Sequence, residues 1–346
     1  MAPIGAYVSW FTQAVLPTGV SGTLTGVSGP RSAVVVNPAK VPDFDNLRRI
    51  VLKGLRRAGW PEPAWYETTP DDPGRGQADR AIRAGAELIF VCGGDGTVMA
   101  VVTALAGTDV AMAVLPTGTG NLLAANLGLG DDPATGVEVA LAGGRRRIDV
   151  GTLGDRCFAV MAGMGFDAQM LAGTSEAAKK RLGWLAYFGG GFKHLRGRPM
   201  QCRIRLDGGP PMPRRPRTVL VGNVGRLQGG LRLLTNADPA DGKLDVAVLS
   251  PRTLGHWASL AWALLRRRKR VPLMETFTAE RIEIYARRTQ QRQLDGDVIE
   301  PGRVMKIQVK PRALLLCVPL PAGDPDLAYD VSAAAQAADD LREAAS

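Results

Sequence analysis

Three short stretches place small, hydroxyl-bearing and acidic residues at the exits of apolar runs. The first is Gly93-Gly94-Asp95-Gly96-Thr97, directly after the run Leu88–Cys92. Glycines let backbone N–H groups approach phosphate oxygens with no side chain between. A helix beginning there would aim its positive end at the same place. A carboxylate repels phosphate, so Asp95 suits a divalent cation, or a water in that cation's shell. Taken alone, the stretch reads equally well as a tight strand–helix turn capped by Asp95 or Thr97. It recurs one strand later, in Leu115-Pro116-Thr117-Gly118-Thr119-Gly120-Asn121. Asn37 and Pro38 close a third apolar run, Val34–Val36. Small and polar groups at several strand exits of one sheet point to a nucleotide. Neither a GxxxxGK[ST] loop nor a GxGxxG dinucleotide unit is present.

A proton acceptor is harder to find. The chain has two histidines, His194 and His256, and neither lies in a motif. The acceptor is therefore expected to be a carboxylate.

These exits need a sheet that presents them together. Strands are expected at 32–38, 64–69, 87–92 and 110–115. Helices are expected at 43–58, 75–85, 97–106, 119–128 and 133–142, with Leu47, Ile50, Val51 and Leu55 at helical spacing. Strand–helix alternation with short loops implies a parallel sheet covered on both faces. Ligands of such sheets bind beyond the carboxyl ends of the strands. After Arg145–Leu153 the pattern changes to strand-like runs at 157–163, 200–208, 217–224, 242–250, 280–286 and 304–319. Gly, Pro and Asp break them, as in an antiparallel sandwich. Helical interruptions are expected near 175–195 and 253–267. The organisation is thus a disordered Gly/Ser/Thr-rich segment at 1–30, an α/β domain at 31–150, a β-sandwich at 151–323, and an acidic, Ala-rich tail at 324–346.

Composition sets bounds. The 346 residues are 45% hydrophobic and 22% charged, ordinary for a folded protein of about two domains. The formal net charge of +10 favours anionic partners, though an arginine-rich composition alone would produce it. Cys92, Cys157, Cys202 and Cys317 lie far apart without a CxxC, so zinc and a disulfide framework are not signalled. Residues 1–30 hold no Lys or Arg, so no signal peptide is expected. No apolar run reaches a membrane-spanning length. Aromatics are 5% and no RNA-binding signature appears, which disfavours nucleic acid.

The ordered set "VVNP", "GGDGT", "LPTGTGN", "RIDVG", "DPADGKLDV" and "QLDGD" resembles the diacylglycerol kinase catalytic family, from about residue 32 to 320. GGDGT alone is shared with NAD kinases; the ordered set is more specific. "KKRLGWLAYFGGGFKHL" at 179–195 is similar to a segment of the bacterial members. The resemblance implies a diacylglycerol kinase and NAD kinase-like fold with the nucleotide in the cleft between domains. It implies ATP and Mg²⁺, and a lipid kinase acting on diacylglycerol or a similar alcohol. An NAD kinase-like enzyme, or a lapsed nucleotide- or lipid-binding member, are the alternatives.

Residue by residue, the resemblance assigns Asn37, Pro38, Gly93 to Thr97, Gly118, Thr119 and Asn121 to ATP, with Thr68 or Thr69 lining the same site. Asp95 and Asp149 match the family's acidic network around Mg²⁺. Asp238 and Asp241 match side-chain ligands of a metal loop, with Lys243 contributing a backbone carbonyl. Without the resemblance that loop would read as an Asp-rich hairpin. The family's proton-accepting Glu falls on Asp297, one methylene shorter, with Asp295 as second candidate. Met99 and Ala100 stand where the family often has Asn-Glu, and Leu122 where many members have Asp.

A lipid substrate implies reversible contact with a membrane surface, and a cytoplasmic protein peripheral to the inner face. Trp257, Leu260, Ala261, Leu264 and Leu265 share one helical face, followed by Arg266 to Arg270. That suits an interfacial helix with a basic end. It suits somewhat better a core-packed helix whose last cations complement its dipole. The family's metal-loop members also suggest a homodimer.

Overall fold

The computed structural model describes residues 29–117, 121–130, 132–165, 199–224, 234, 237–266 and 271–319. The N-terminal sheet is parallel, in the order β4 (Ala111–Leu115), β3 (Leu88–Cys92), β1 (Ser32–Val36), β2 (Ala64–Glu67). β1, β3 and β4 are buried throughout, as continuous apolar runs must be when helices cover both faces. Alternate residues divide between two layers. Val34, Val36, Leu88 and Phe90 pack with α1 (Phe44–Arg57) and α5 (Pro133–Leu141). Ala33, Val35, Ile89 and Val91 pack with α2 (Arg75–Arg83) and α3 (Asp95–Leu105). Asp43 caps α1 by accepting from Asn46 N at 2.9 Å. α4 is short, Leu122–Asn126, and starts at its cap Asn121.

The remaining strands are β5 (Arg145–Leu153), β6 (Arg156–Phe158), β7 (Met161–Met164), β8 (Cys202–Leu206), β9 (Met212–Arg214), β10 (Thr218–Gly222), β11 (Leu244–Leu249), β12 (Met274–Ala279), β13 (Arg281–Leu294) and β14 (Asp297–Cys317). They form an antiparallel array ordered β12-β11-β10-β7-β13-β14, with β8 and β9 extending from β13, and β5 and β6 from β14. Its core includes Met164, Val219, Val246, Ile284 and Ile307.

β14 joins the two parts. Its first half pairs with β13, and at its end Leu315 and Leu316 pair parallel with Ala111 and Met112 of β4. Between the halves, register slips at Lys310/Leu314, where Pro311 cannot donate and Arg312 adopts φ 48°. The run 157–163, expected as one strand, is split into β6 and β7. The N–H groups of Ala159, Val160 and Met161 turn instead to the Asp295 carboxylate.

The helix near 253–267 is α6, Leu254–Leu265. Leu260 and Ala263 are buried with Leu220, Leu249 and Val271, so this side of the helix belongs to the core. Trp262 is 54% exposed and carries the Arg266 guanidinium over its ring at 4.4 Å. The side chains of Trp257, Ala261, Leu264 and Leu265, the run 267–270, the helix expected near 175–195, most of the 1–30 segment and the 324–346 tail lie outside the described residues. Among the described residues no helix is long and apolar enough to cross a membrane.

Candidate active site

β1 and β3 end side by side. Asn37 N donates to Cys92 O at 2.8 Å, and Asn37 Nδ2 to Thr97 Oγ1 at 3.4 Å. Pro38 opens a 3₁₀ turn, Pro38–Lys40, with its fixed φ. Thr68 is buried beside this exit, its N–H on Val36 O at 2.9 Å. Thr69 instead accepts from Asp72 N at 3.2 Å, closing the next turn.

The three glycines of the loop differ in purpose. A Cβ at Gly93 would strike Thr97, and one at Gly96 would strike the Asp297 carboxylate. Gly94 alone faces open space. It is the cap of α3 and supplies no side-chain bond, so the helix N-terminus is left available to an anion. Asn121 accepts from Ala124 N at 2.8 Å, while its buried Nδ2 has no partner among the described residues. Gly118 and Thr119 lie outside the described residues.

A first acidic group gathers at this N-terminus. Asp95 accepts from Leu122 N at 2.7 Å. Burial pushes its pKa up to about 8, with Asp295 and Asp297 adding repulsion. Asp297 is raised by burial and pulled back by Lys40. It follows a two-residue turn in which Asp295 (φ 46°) and Gly296 (φ 94°) both take positive φ, and Leu294 pairs with Asp297 across it. Asp-Gly is the sequence such a turn demands. Asp295 Oδ1 accepts from Val160 N at 2.9 Å and Met161 N at 2.7 Å, and Oδ2 from Ala159 N at 2.9 Å. The second candidate for proton acceptor is thus a buried clasp, which leaves Asp297 as the carboxylate facing the loop.

A second acidic group lies at the Asp-rich loop. Asp149, on β5, accepts from Gly242 N at 2.7 Å and Arg312 N at 2.6 Å. Its pKa is raised by burial, those two bonds opposing, with Asp241 and Asp238 adding repulsion. Asp238 Oδ1 takes Ala240 N at 3.0 Å and Arg146 Nη2 at 3.2 Å. Asp241 Oδ1 takes the Lys243 backbone N–H at 2.9 Å. Asp245 is pushed up to about 6 by burial, with Asp241 nearby. The resemblance set Asp95 and Asp149 in one acidic network. The structure puts Asp95 with Asp297, and Asp149 with Asp238 and Asp241.

Asn223 links the two groups. Its Nδ2 donates to Asp149 O at 2.6 Å and Ala159 O at 3.0 Å, and its N–H to Val160 O at 2.8 Å. Sequence reasoning missed Asn223, Asp245, Lys40 and the clasp made by Asp295. Only the last left a signal, the Asp-Gly turn between two strands.

Residues 31–153 match the diacylglycerol kinase catalytic domain, and residues 159–318 the YegS C-terminal NAD kinase beta sandwich-like domain. A Pseudomonas putida protein named "Probable lipid kinase YegS-like" is 32% identical over 305 residues, covering 86% of this chain and 98% of the relative. This chain belongs to the YegS-like lipid kinase family. The diacylglycerol kinase of Mycobacterium tuberculosis is 31% identical over 175 residues, 49% of this chain and 56% of its own. A Bacillus anthracis diacylglycerol kinase structure shares the fold, with a TM-score of 0.63 at 19% identity over 84% of this chain and 97% of its own. Membership in a family of kinases implies use of ATP. In this YegS-like chain the departures from the family pattern sit in packed surroundings. Ala100 and Leu122 are buried, and Leu122 contributes its backbone N–H to Asp95.

Proposed function

We propose that the protein transfers the γ-phosphoryl group of ATP to the hydroxyl of a lipid alcohol, diacylglycerol or a close analogue. The observation that carries this reading is the packing of the Asp297 carboxylate against Gly96, two residues along from the open N-terminus at Gly94. A phosphate bound at that N-terminus has a carboxylate beside it. In the reaction the lipid oxygen forms a new bond to phosphorus. The bond from phosphorus to the bridging oxygen breaks, its electron pair leaving on ADP. The hydroxyl proton passes to Asp297.

The carboxylate oxygens at this cleft fit a hard cation such as Mg²⁺, which neutralises phosphate charge when bound. Asp95 would hold it, its Oδ2 facing Gly296 while Oδ1 is engaged by Leu122. Among the described residues no set of three or more His, Cys, Asp or Glu side chains forms a ready cage. Phosphate and water would supply the remaining ligands, as Mg²⁺ usually requires. At the second group Asp241 and Asp238 offer oxygens, and a cation there would compete with Arg146 for Asp238. The acceptor is a bilayer lipid, so the protein works at the inner face of the membrane by reversible contact. The exposed Trp262–Arg266 pair supports contact through that side of α6.

The test is phosphoryl transfer from radiolabelled ATP, with Mg²⁺, to micellar lipids and to NAD. Label in a lipid, lost in Asp297→Asn and Asp95→Ala, supports the reading. Label in NAD, or in no acceptor, overturns it.

A further inference from the structure

We propose that Lys310 is a positioning residue for the transfer: its ammonium ties the C-terminal end of α3 to β14, and so sets where the other end of that helix meets Asp297. The inference rests on the ATP reading and adds to it a residue that touches neither nucleotide nor lipid.

The reacting geometry is shared between two domains. α3 presents its N-terminus at Gly94, and β14 brings Asp297 onto Gly96. Among the described residues the Asp297 side chain makes no hydrogen bond or ion pair, so its approach to Gly96 is contact alone. The alignment of the two must be fixed elsewhere.

It is fixed at the far end of α3. Among the described residues, the hydrogen bonds that tie α3 and its following turn to the sandwich strands fall at Thr103 and beyond. Cys157 N, on β6, donates to Thr103 Oγ1 at 3.0 Å, and that hydroxyl donates in turn to Met99 O at 2.8 Å. Gly107 N donates to Ala313 O at 2.7 Å. Lys310 Nζ donates to Ala106 O at 2.7 Å. Ala106 is the cap of α3, so this carbonyl has no helical partner and lies at the negative end of the dipole.

The place of Lys310 is built from both sides. It directly precedes the slip in β14, where Pro311 offers no N–H and Arg312 turns its own N–H to Asp149 Oδ1 at 2.6 Å. Gly107 (φ 96°) leaves room for the ammonium: a Cβ there would stand 2.8 Å from Lys310 Nζ. Cys157 and Ala313 contribute backbone atoms, which any side chain would carry. Lys310 contributes a side chain, and is the part of this anchor that substitution can remove.

Length makes the anchor a lever. Ten positions of helix separate Ala106 from Gly96, about 15 Å. A tilt of about 4° about the anchor moves Gly96 by about 1 Å. Misplacement on that scale costs on the order of a hundredfold in rate.

Full-length wild type, Lys310→Met and Lys310→Arg are compared in steady-state phosphorylation of micellar diacylglycerol, with the melting temperature of each. Methionine keeps the stem and loses the donor. The backbone contacts that remain limit the tilt, so kcat is expected to fall by about tenfold, with KM for ATP and for lipid within about twofold. Lys310→Arg keeps a donor and recovers most of kcat. Melting changes little, because Lys310 is exposed. The same substitution is then made in Asp297→Asn. A residue that acts by placing the Asp297 carboxylate has little further effect once that carboxylate is gone. Unchanged kcat in Lys310→Met, or an equal loss in the Asp297→Asn background, overturns the inference. If wild type labels no lipid, the ATP reading itself falls and takes the inference with it.

Discussion

Replacing Gly96 with alanine tests whether Asp297 is the proton acceptor, because the two residues occupy adjoining space. A methyl at Gly96 would lie inside van der Waals contact of Asp297 Oδ2, while Asp297 Cγ stands 3.5 Å from the same point. The carboxylate tip must retreat by roughly 1 Å to restore an ordinary carbon–oxygen separation. Side-chain rotation achieves that cheaply, so little stability is at stake. Gly96 is the second residue of α3, where alanine improves helix propensity by up to about 1 kcal/mol. The cost falls on geometry. A displacement of about 1 Å at a reacting group costs on the order of a hundredfold in rate. That corresponds to about 2.7 kcal/mol of barrier. The assay is kcat and KM for lipid phosphorylation beside the melting temperature. The expected result is kcat down about a hundredfold, KM for ATP little changed and melting unaltered. Gly94→Ala is the control for stability. Its Cβ meets open space and its φ of −77° suits any residue, so folding is unaffected. Turnover by Gly96→Ala within threefold of wild type would refute the reasoning, since the base would then tolerate losing its place.

Asp295→Asn tests the clasp: one of the N–H groups of Ala159, Val160 and Met161 would face an amide NH₂, orphaning a buried donor at about 1–3 kcal/mol, read as a lower denaturant midpoint. The same residue gives a pH dependence. Burial pushes Asp295 up to about 6, above its ordinary 3.8, so the folded state holds a proton that the unfolded chain releases between those values. Its contribution is full below about pH 4 and is lost as pH rises through about 6; unfolding free energies across pH 4–7 should decline with a slope that Asp295→Asn reduces. Asn223→Ala removes the donor shared by Asp149 O and Ala159 O and should lower the melting temperature by several degrees, roughly 2 kcal/mol of lost bonding. Melting unchanged by this substitution would mean the two acidic groups are not joined through Asn223. Asp149→Ala frees Gly242 N and Arg312 N, and limited proteolysis should then cut the 238–243 loop faster than in wild type.

Much of this protein was legible before its structure. The apolar runs ending in Val36, Cys92 and Leu115 announced parallel strands, because a strand buried on both faces has no polar alternation to offer. Helical spacing of Leu47, Val51 and Leu55 located α1 to within a residue at each end. The ordered motifs indicated the family; the Asp-Gly pair before Asp297 carries a hairpin-turn signal, but the strands expected at 280–286 and 304–319 stopped short of it. Tertiary structure alone decided which acids act together. Asp95 and Asp297 lie 202 positions apart in sequence and meet because β14 runs from the cleft back to β4, a pairing no local pattern encodes. The same long-range contacts turned Asp295 into a clasp and gave the glycines separate purposes. They brought Lys40, a surface lysine in sequence, within electrostatic reach of Asp297, where it lowers the carboxyl's pKa against burial. Local physics writes periodicity and turn chemistry into adjacent residues; the meeting of distant charges depends on how whole strands are ordered, and exists only once the sheet is built.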